Sequence, residues 1–224
     1  MWQRTIRVVK YSELNRTSTK ESIAMERVRR ITWDNGDVEL VASPQSEREL
    51  AIGYMIVENR LIWKPVEVTV DNDRVYLHGP GHPLGLVSGP IHDITPELIY
   101  QLTARFSESA ILYKDTGATF SAAFAGGPVI AWHAEDVNQR SAVYKAVGKW
   151  CESPLLGSIM LISSTIDLWM VQTAFRLGVR CLITRGSATD KAIDFAGENS
   201  LVVIGYARGL RFTVLASADS MKNL

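Results

Sequence analysis

Residues 118–150 read ATFSAAFAGGPVIAWHAEDVNQRSAVYKAVGKW, and the order of elements within them decides the fold. Residues 118–125 and 129–133 are apolar runs of strand length, parted by the breaker Gly126-Gly127-Pro128. Asp136 then stands where an N-cap is expected, and a helix is predicted to run to about Trp150. The same alternation continues downstream. Strands are predicted at 158–163, 180–184, 201–206 and 211–215, with helices at 165–177 and 189–196 between them. Strands alternating with helices imply a layered α/β core.

Upstream the chain reads as short strands. Residues 5–11 alternate, and 26–33 and 37–42 flank the hairpin turn signal Asp34-Asn35-Gly36. Ser46 is expected to cap a helix over 47–58, with Glu49 at the capping-box position. Residues 66–70 and 74–78 predict a second hairpin, turning at Asp71-Asn72-Asp73. A Gly/Pro-rich loop follows over 79–90, and Thr95-Pro96-Glu97 opens a helix to about Phe106. The expected division is a smaller β-rich part, 1–94, and an α/β core, 95–224, with a soft boundary near 92–108.

The 224 residues are 46% hydrophobic and 21% charged, with 24 basic and 24 acidic side chains. That composition is globular, and its balanced charge offers no broad field for nucleic acid or an anionic membrane. Two cysteines make no disulfide framework. The opening MWQRTIRVVKYSELNR lacks a signal peptide's apolar core, and no apolar run approaches the roughly 18 residues of a membrane span. A cytoplasmic location is the expectation.

His133-Ala134-Glu135 matches half of a zinc deaminase signature, but the P-C-x-x-C half is absent and zinc is not expected. His78, His82 and His92 lie in or beside the 79–90 loop, where a metal would need a further ligand such as Asp93. Gly79, Gly81 and Gly85 miss the dinucleotide fingerprint by one residue. Glu135-Asp136 stands where a strand gives way to a helix. It serves either as cap and dipole complement or as part of a ligand site at the carboxyl end of a strand. Lys145, nine residues beyond Asp136, is expected near the opposite helical face, so the spacing alone gives no ground for a direct pair. Thr116-Gly117-Ala118-Thr119 is either a phosphate-binding turn or a plain one. Cys181 lies in an apolar strand and Cys151 at a helix C-terminus, and neither position primes a nucleophile.

Several segments carry a family pattern in order. Ala42-Ser43-Pro44, the run Glu49-Leu50-Ala51-Ile52-Gly53-Tyr54 and Glu58 come first, then Thr116-Gly117 with Ala122-Ala123. Glu135-Asp136-Val137, Ala142-Val143, Lys145 and Gly148 follow, then Ser163, Thr189 with Ala192, and LVVIGYARG over 201–209. Together these resemble the formate dehydrogenase accessory family of FdhD type. The resemblance implies a cytidine-deaminase-like fold without zinc and a homodimer. It also implies a role in passing persulfide sulfur from a cysteine desulfurase to the molybdenum or tungsten bis-guanine-dinucleotide cofactor of formate dehydrogenase. The binding residues it implies, for that cofactor or a GDP-like nucleotide, are Thr116, Gly117, Glu135, Asp136, Arg140, Ser163, Thr189 and Arg208.

The departures fall on the reactive positions. The family's C-x-x-C interval corresponds to 79–90 here and contains no cysteine. Phe120 replaces a histidine, and Asn138, Gln139, Arg140, Ser141 and Tyr144 replace the polar set of the central motif. A persulfide relay needs an exposed thiolate, so ligand binding and presentation without sulfur transfer is the leading expectation. One alternative gives the transfer to Cys151 or Cys181. Another is a non-catalytic homodimeric interaction protein whose pocket is filled by Phe120, Tyr144 and Trp169.

Overall fold

A computed structural model describes residues 2–59, 61–62, 67–80, 82–83, 93–152, 159–217, 219 and 221. The chain opens with an antiparallel ribbon, β1 (Gln3–Ser12) and β2 (Asn15–Ala24). Of the two, only β1 carries an alternation legible in the sequence. Most side chains of β2 are polar and its first four are exposed, so no apolar alternation marks it.

Then come β3 (Arg27–Trp33), β4 (Gly36–Ala42), α1 (Glu47–Asn59), β5 (Leu61–Ile62), β6 (Glu67–Asp71), β7 (Arg74–His78) and β8 (His82–Pro83). Both expected hairpins are present, and they join in one sheet of order β4-β3-β7-β6. Arg29 of β3, nearly buried, ties that sheet to α1 by pairing with Glu47 in the first turn and with Asp73. The expected Ser46 cap does not form. Its backbone is left-handed (φ 51°), and its carbonyl rather than its hydroxyl meets the helix, accepting from Leu50 N. Of the 79–90 loop, residues 81 and 84–90 lie outside the described residues, as does His92.

The remainder alternates largely as expected, with one further helix, α3, that was not: α2 (Pro96–Ser109), α3 (Ile111–Thr116), β9 (Phe120–Gly126), β10 (Val129–Asp136), α4 (Gln139–Glu152), β11 (Ile159–Ile162), α5 (Leu168–Arg176), β12 (Cys181–Thr184), α6 (Asp190–Glu198), β13 (Val202–Arg208) and β14 (Arg211–Ala216). Thr95 and Thr189 cap α2 and α6 through their hydroxyls. The helix expected from residue 165 starts later, because Asp167 accepts from Met170 N and sets the first turn.

β9 to β14 form one sheet of order β10-β9-β11-β12-β13-β14. β11, β12 and β13 run parallel, while β9 and β14 run against their neighbours. Both faces are covered, which explains the unbroken apolar runs of its strands. Ala123, Ala125, Leu161, Ile183 and Ile204 pack with Ile99, Leu102 and Phe106 of α2 on one face. Ala122, Phe124, Met160, Leu182 and Val203 face the other way, into a larger core with α1, α4, α5 and α6.

The helices α1 and α4 approach closely at two glycines. A Cβ on Gly53 would lie 1.7 Å from the Tyr144 carbonyl oxygen, and one on Gly148 would lie 2.0 Å from that of Glu49. Only glycine permits backbones this near, so α1 from the N-terminal part shares its core with α4.

Candidate functional site

Consecutive residues of a strand point to opposite faces, and this separates Glu135 from Asp136 at the end of β10. Asp136, fully buried on the α4 side, accepts from Ser43 N and Oγ at 3.1 Å each. Its Oδ2 lies 2.5 Å from Lys145 Nζ. The two pair directly, although the helical spacing alone gave no ground for it. Asp136 belongs to the strand rather than to the helix, so helical angles do not apply between them, and α4 folds back along β10. Burial lowers the Lys145 pKa, and the neighbouring Asp136 opposes that shift.

Asp136 is also not the main cap of α4. Its Oδ1 accepts from Asn138 N, and the Asn138 side chain accepts from Arg140 N and Ser141 N at the helix start. Glu135 serves a different helix from the one expected. Its carboxylate accepts from Leu112 N and Tyr113 N at 2.8 Å, and from Thr119 Oγ1 at 3.1 Å. It thereby closes the N-terminus of α3 and braces the start of β9.

Thr116 and Gly117 form the other end of α3. Thr116 Oγ1 donates to Leu112 O, Gly117 turns left-handed (φ 67°), and its N–H bonds Tyr113 O. Ala118 N donates to Thr116 Oγ1. Two amides of this expected phosphate turn are thus engaged inside the turn itself.

Ser163 and Arg208 come together in a cleft of about 410 Å³ at the carboxyl edge of the parallel strands. Ser163 follows β11, Arg185 and Gly186 follow β12, and Arg208 ends β13. Ser107, Tyr113, Phe120 and Ser121 complete much of the wall. Ser163 Oγ accepts from Ser121 N at 2.8 Å, and the Arg208 guanidinium donates to Arg185 O at 3.3 Å. Among the described residues lining the cleft there are two arginines and no carboxylate. The arrangement can hold an anion through guanidinium groups and hydroxyls, with aromatic side chains beside it.

The other expected site residues lie elsewhere. Thr189 caps α6 and its N–H bonds Ile166 O. Arg140 is on the α4 side of the sheet, over the Trp169 ring. Phe120 lines the arginine cleft, whereas Tyr144 and Trp169 make an edge contact with each other (5.9 Å) near Arg140. The residues expected to fill one pocket are therefore divided between two places. Arg185 escaped the sequence reading, although its place directly after a parallel strand was a usable signal.

Both cysteines are buried, Cys181 fully and Cys151 at 6% exposure, and burial pushes the Cys181 thiol pKa up. Among the described residues no helix is long and apolar enough to cross a membrane.

Comparison with known proteins agrees with the motif order. Residues 85–222 match the model of the FdhD/NarQ family. The sulfur carrier protein FdhD of Streptomyces coelicolor is 32% identical over 130 residues, covering 56% of this chain and 46% of that protein. The chain thus spans about half the length of that relative, and likewise 50% of the sulfur carrier protein FdhD of Staphylococcus haemolyticus. The protein FdhD of Methanocaldococcus jannaschii aligns further, at 26% identity over 95% of this chain and 96% of its own length. A crystal structure from Desulfotalea psychrophila, described as a formate dehydrogenase accessory protein, superposes with a TM-score of 0.87. It covers 99% of this chain and all of that one at 16% identity, which is a likeness of fold. With more than half of its length matched by the family model, the chain belongs to the FdhD/NarQ family.

Proposed function

We propose that this protein is an accessory factor in the maturation of a molybdenum or tungsten enzyme such as formate dehydrogenase. It binds a guanine-dinucleotide cofactor, or a related GDP-like nucleotide, and presents it to that client. The observation that carries the reading is the cleft of about 410 Å³ holding Ser163, Arg185 and Arg208. Two guanidinium groups suit a diphosphate, and Tyr113 and Phe120 supply aromatic surface for a base. The names of the relatives supply the client class.

Sulfur transfer is left out of this role. A persulfide carrier needs an accessible thiolate, and the two cysteines of this chain are buried. Cytoplasmic location, a homodimeric state and a cysteine desulfurase partner belong to the same proposal.

Calorimetric titration with GDP tests it. The wild type is expected to bind, and Arg185→Met and Arg208→Met are each expected to weaken binding roughly ten-fold, the scale of one lost charge-assisted contact. Absence of any heat or thermal shift with GDP would overturn the reading.

A further inference from the structure

Glu58 and Arg140 meet the same indole but not each other. Glu58 Oε1 accepts from Trp169 Nε1 at 3.1 Å and from Tyr144 OH at 2.6 Å. The Arg140 guanidinium carbon lies 4.9 Å from the centroid of the same Trp169 ring. Yet among the described residues no ion pair joins the two, and no acceptor takes the guanidinium hydrogens of Arg140. A carboxylate and a guanidinium, both exposed, are thus held near one side chain without pairing to each other.

Both open into a second cleft, about 440 Å³, on the α4 side of the sheet. Its walls include Leu40, Tyr54, Asn138 and Tyr144. Tyr54 and the buried Tyr144 meet edge to face at 5.5 Å, which leaves the partly exposed Tyr54 to present aromatic surface beside Glu58. The other carboxylate of the cleft, Glu39, is already held by Arg30. The N-terminus of α4 reaches the cleft at Asn138 to Ser141, which adds positive potential at the Arg140 end. One end of the cleft therefore favours a carboxylate. The other favours an ammonium group, which the Glu58 carboxylate and the Tyr54 ring both attract.

We propose that this cleft binds a small zwitterion, an α-amino acid, with its carboxylate on Arg140 and its ammonium between Glu58 and Tyr54. An aliphatic side chain rests against Leu40. The guanidinium, stacked on Trp169, keeps its N–H edges for bidentate contact with the carboxylate. The ligand completes the charge pairing that Glu58 and Arg140 do not make with each other. The proposal goes beyond the nucleotide reading and uses none of the residues of the arginine cleft.

The test is calorimetry with L-leucine against two matched analogues, L-leucinamide, which lacks the carboxylate, and 4-methylpentanoate, which lacks the amine. L-leucine is expected to bind and to change the Trp169 fluorescence, a change lost in Trp169→Phe. Each single-charge analogue is expected to bind at least roughly ten-fold more weakly, as are Glu58→Gln and Arg140→Met with L-leucine. Glu58→Gln keeps an oxygen to accept from Tyr144 and Trp169, so unchanged melting separates lost charge from lost packing. No response to L-leucine, or equal binding of either analogue, overturns the proposal. The GDP titration of the same samples reports separately on the arginine cleft.

Discussion

Lys145 Nζ lies 2.5 Å from Asp136 Oδ2, and neither side chain reaches solvent. Ser43 completes the cluster. Its carbonyl and hydroxyl accept from Lys145, and its N–H and hydroxyl donate to Asp136. Three distant parts of the chain, the end of β4, the end of β10 and the middle of α4, are thereby locked at one point.

Lys145→Met is expected to destabilise the fold by about 3–5 kcal/mol, because it leaves the Asp136 carboxylate buried without its cation. Asp136→Asn should fall in the same range. The double variant is expected to cost clearly less than the sum, which urea denaturation of all three variants measures as a coupling energy.

Gly53→Ala and Gly148→Ala each force α1 and α4 apart, since the added methyl would meet a backbone carbonyl at 1.7 and 2.0 Å. Each should cost at least about 1–3 kcal/mol, the range for overpacking, read from the denaturation midpoint. Substitution at Gly197, where an added Cβ meets nothing within 4 Å, is the control and should be nearly silent.

Glu135→Gln should loosen α3 and leave α4 intact. Hydrogen exchange at the Leu112 and Tyr113 amides is expected to accelerate, because a neutral amide is the weaker acceptor for these two donors. The expected stability loss is about 1 kcal/mol, as for a helix cap. Faster exchange at the start of α4 instead would restore the role that the sequence reading assigned to Glu135.

His133 should make the fold acid-sensitive. Burial lowers its pKa, with Glu135 opposing and Lys149 acting in the same direction, and among the described residues its Nε2 has no hydrogen-bond partner. The folded ring stays neutral where the unfolded one, with a pKa of about 6.5, takes up a proton. Stability is therefore expected to decline as pH falls below about 6.5 and to level off only below the lowered folded value. His133→Gln should flatten that part of the profile, and an NMR titration of the wild type should show the His133 ring resisting protonation at pH 6.

Local physical chemistry made much of the architecture legible in the sequence. Asp34-Asn35-Gly36 turns β3 into β4, Thr95 and Thr189 cap their helices, and strands apolar on both faces announce a covered sheet. These signals act over a few residues, so the order of α and β elements follows from them. α5 begins at Leu168 rather than at residue 165, because the Asp167 side chain accepts from Met170 N and sets the first turn.

Only the tertiary structure decided the partners. Glu135 and Asp136 are neighbours in sequence, yet strand geometry sends one to α3 and the other to Lys145. The eight expected binding residues are dispersed for the same reason: Ser163 and Arg208 share the arginine cleft, while Arg140 faces the other side of the sheet beside Glu58. The ordered motifs did carry the family. Which residues meet across the sheet depends on strand order and on the return of each helix over it, and no local signal encodes either.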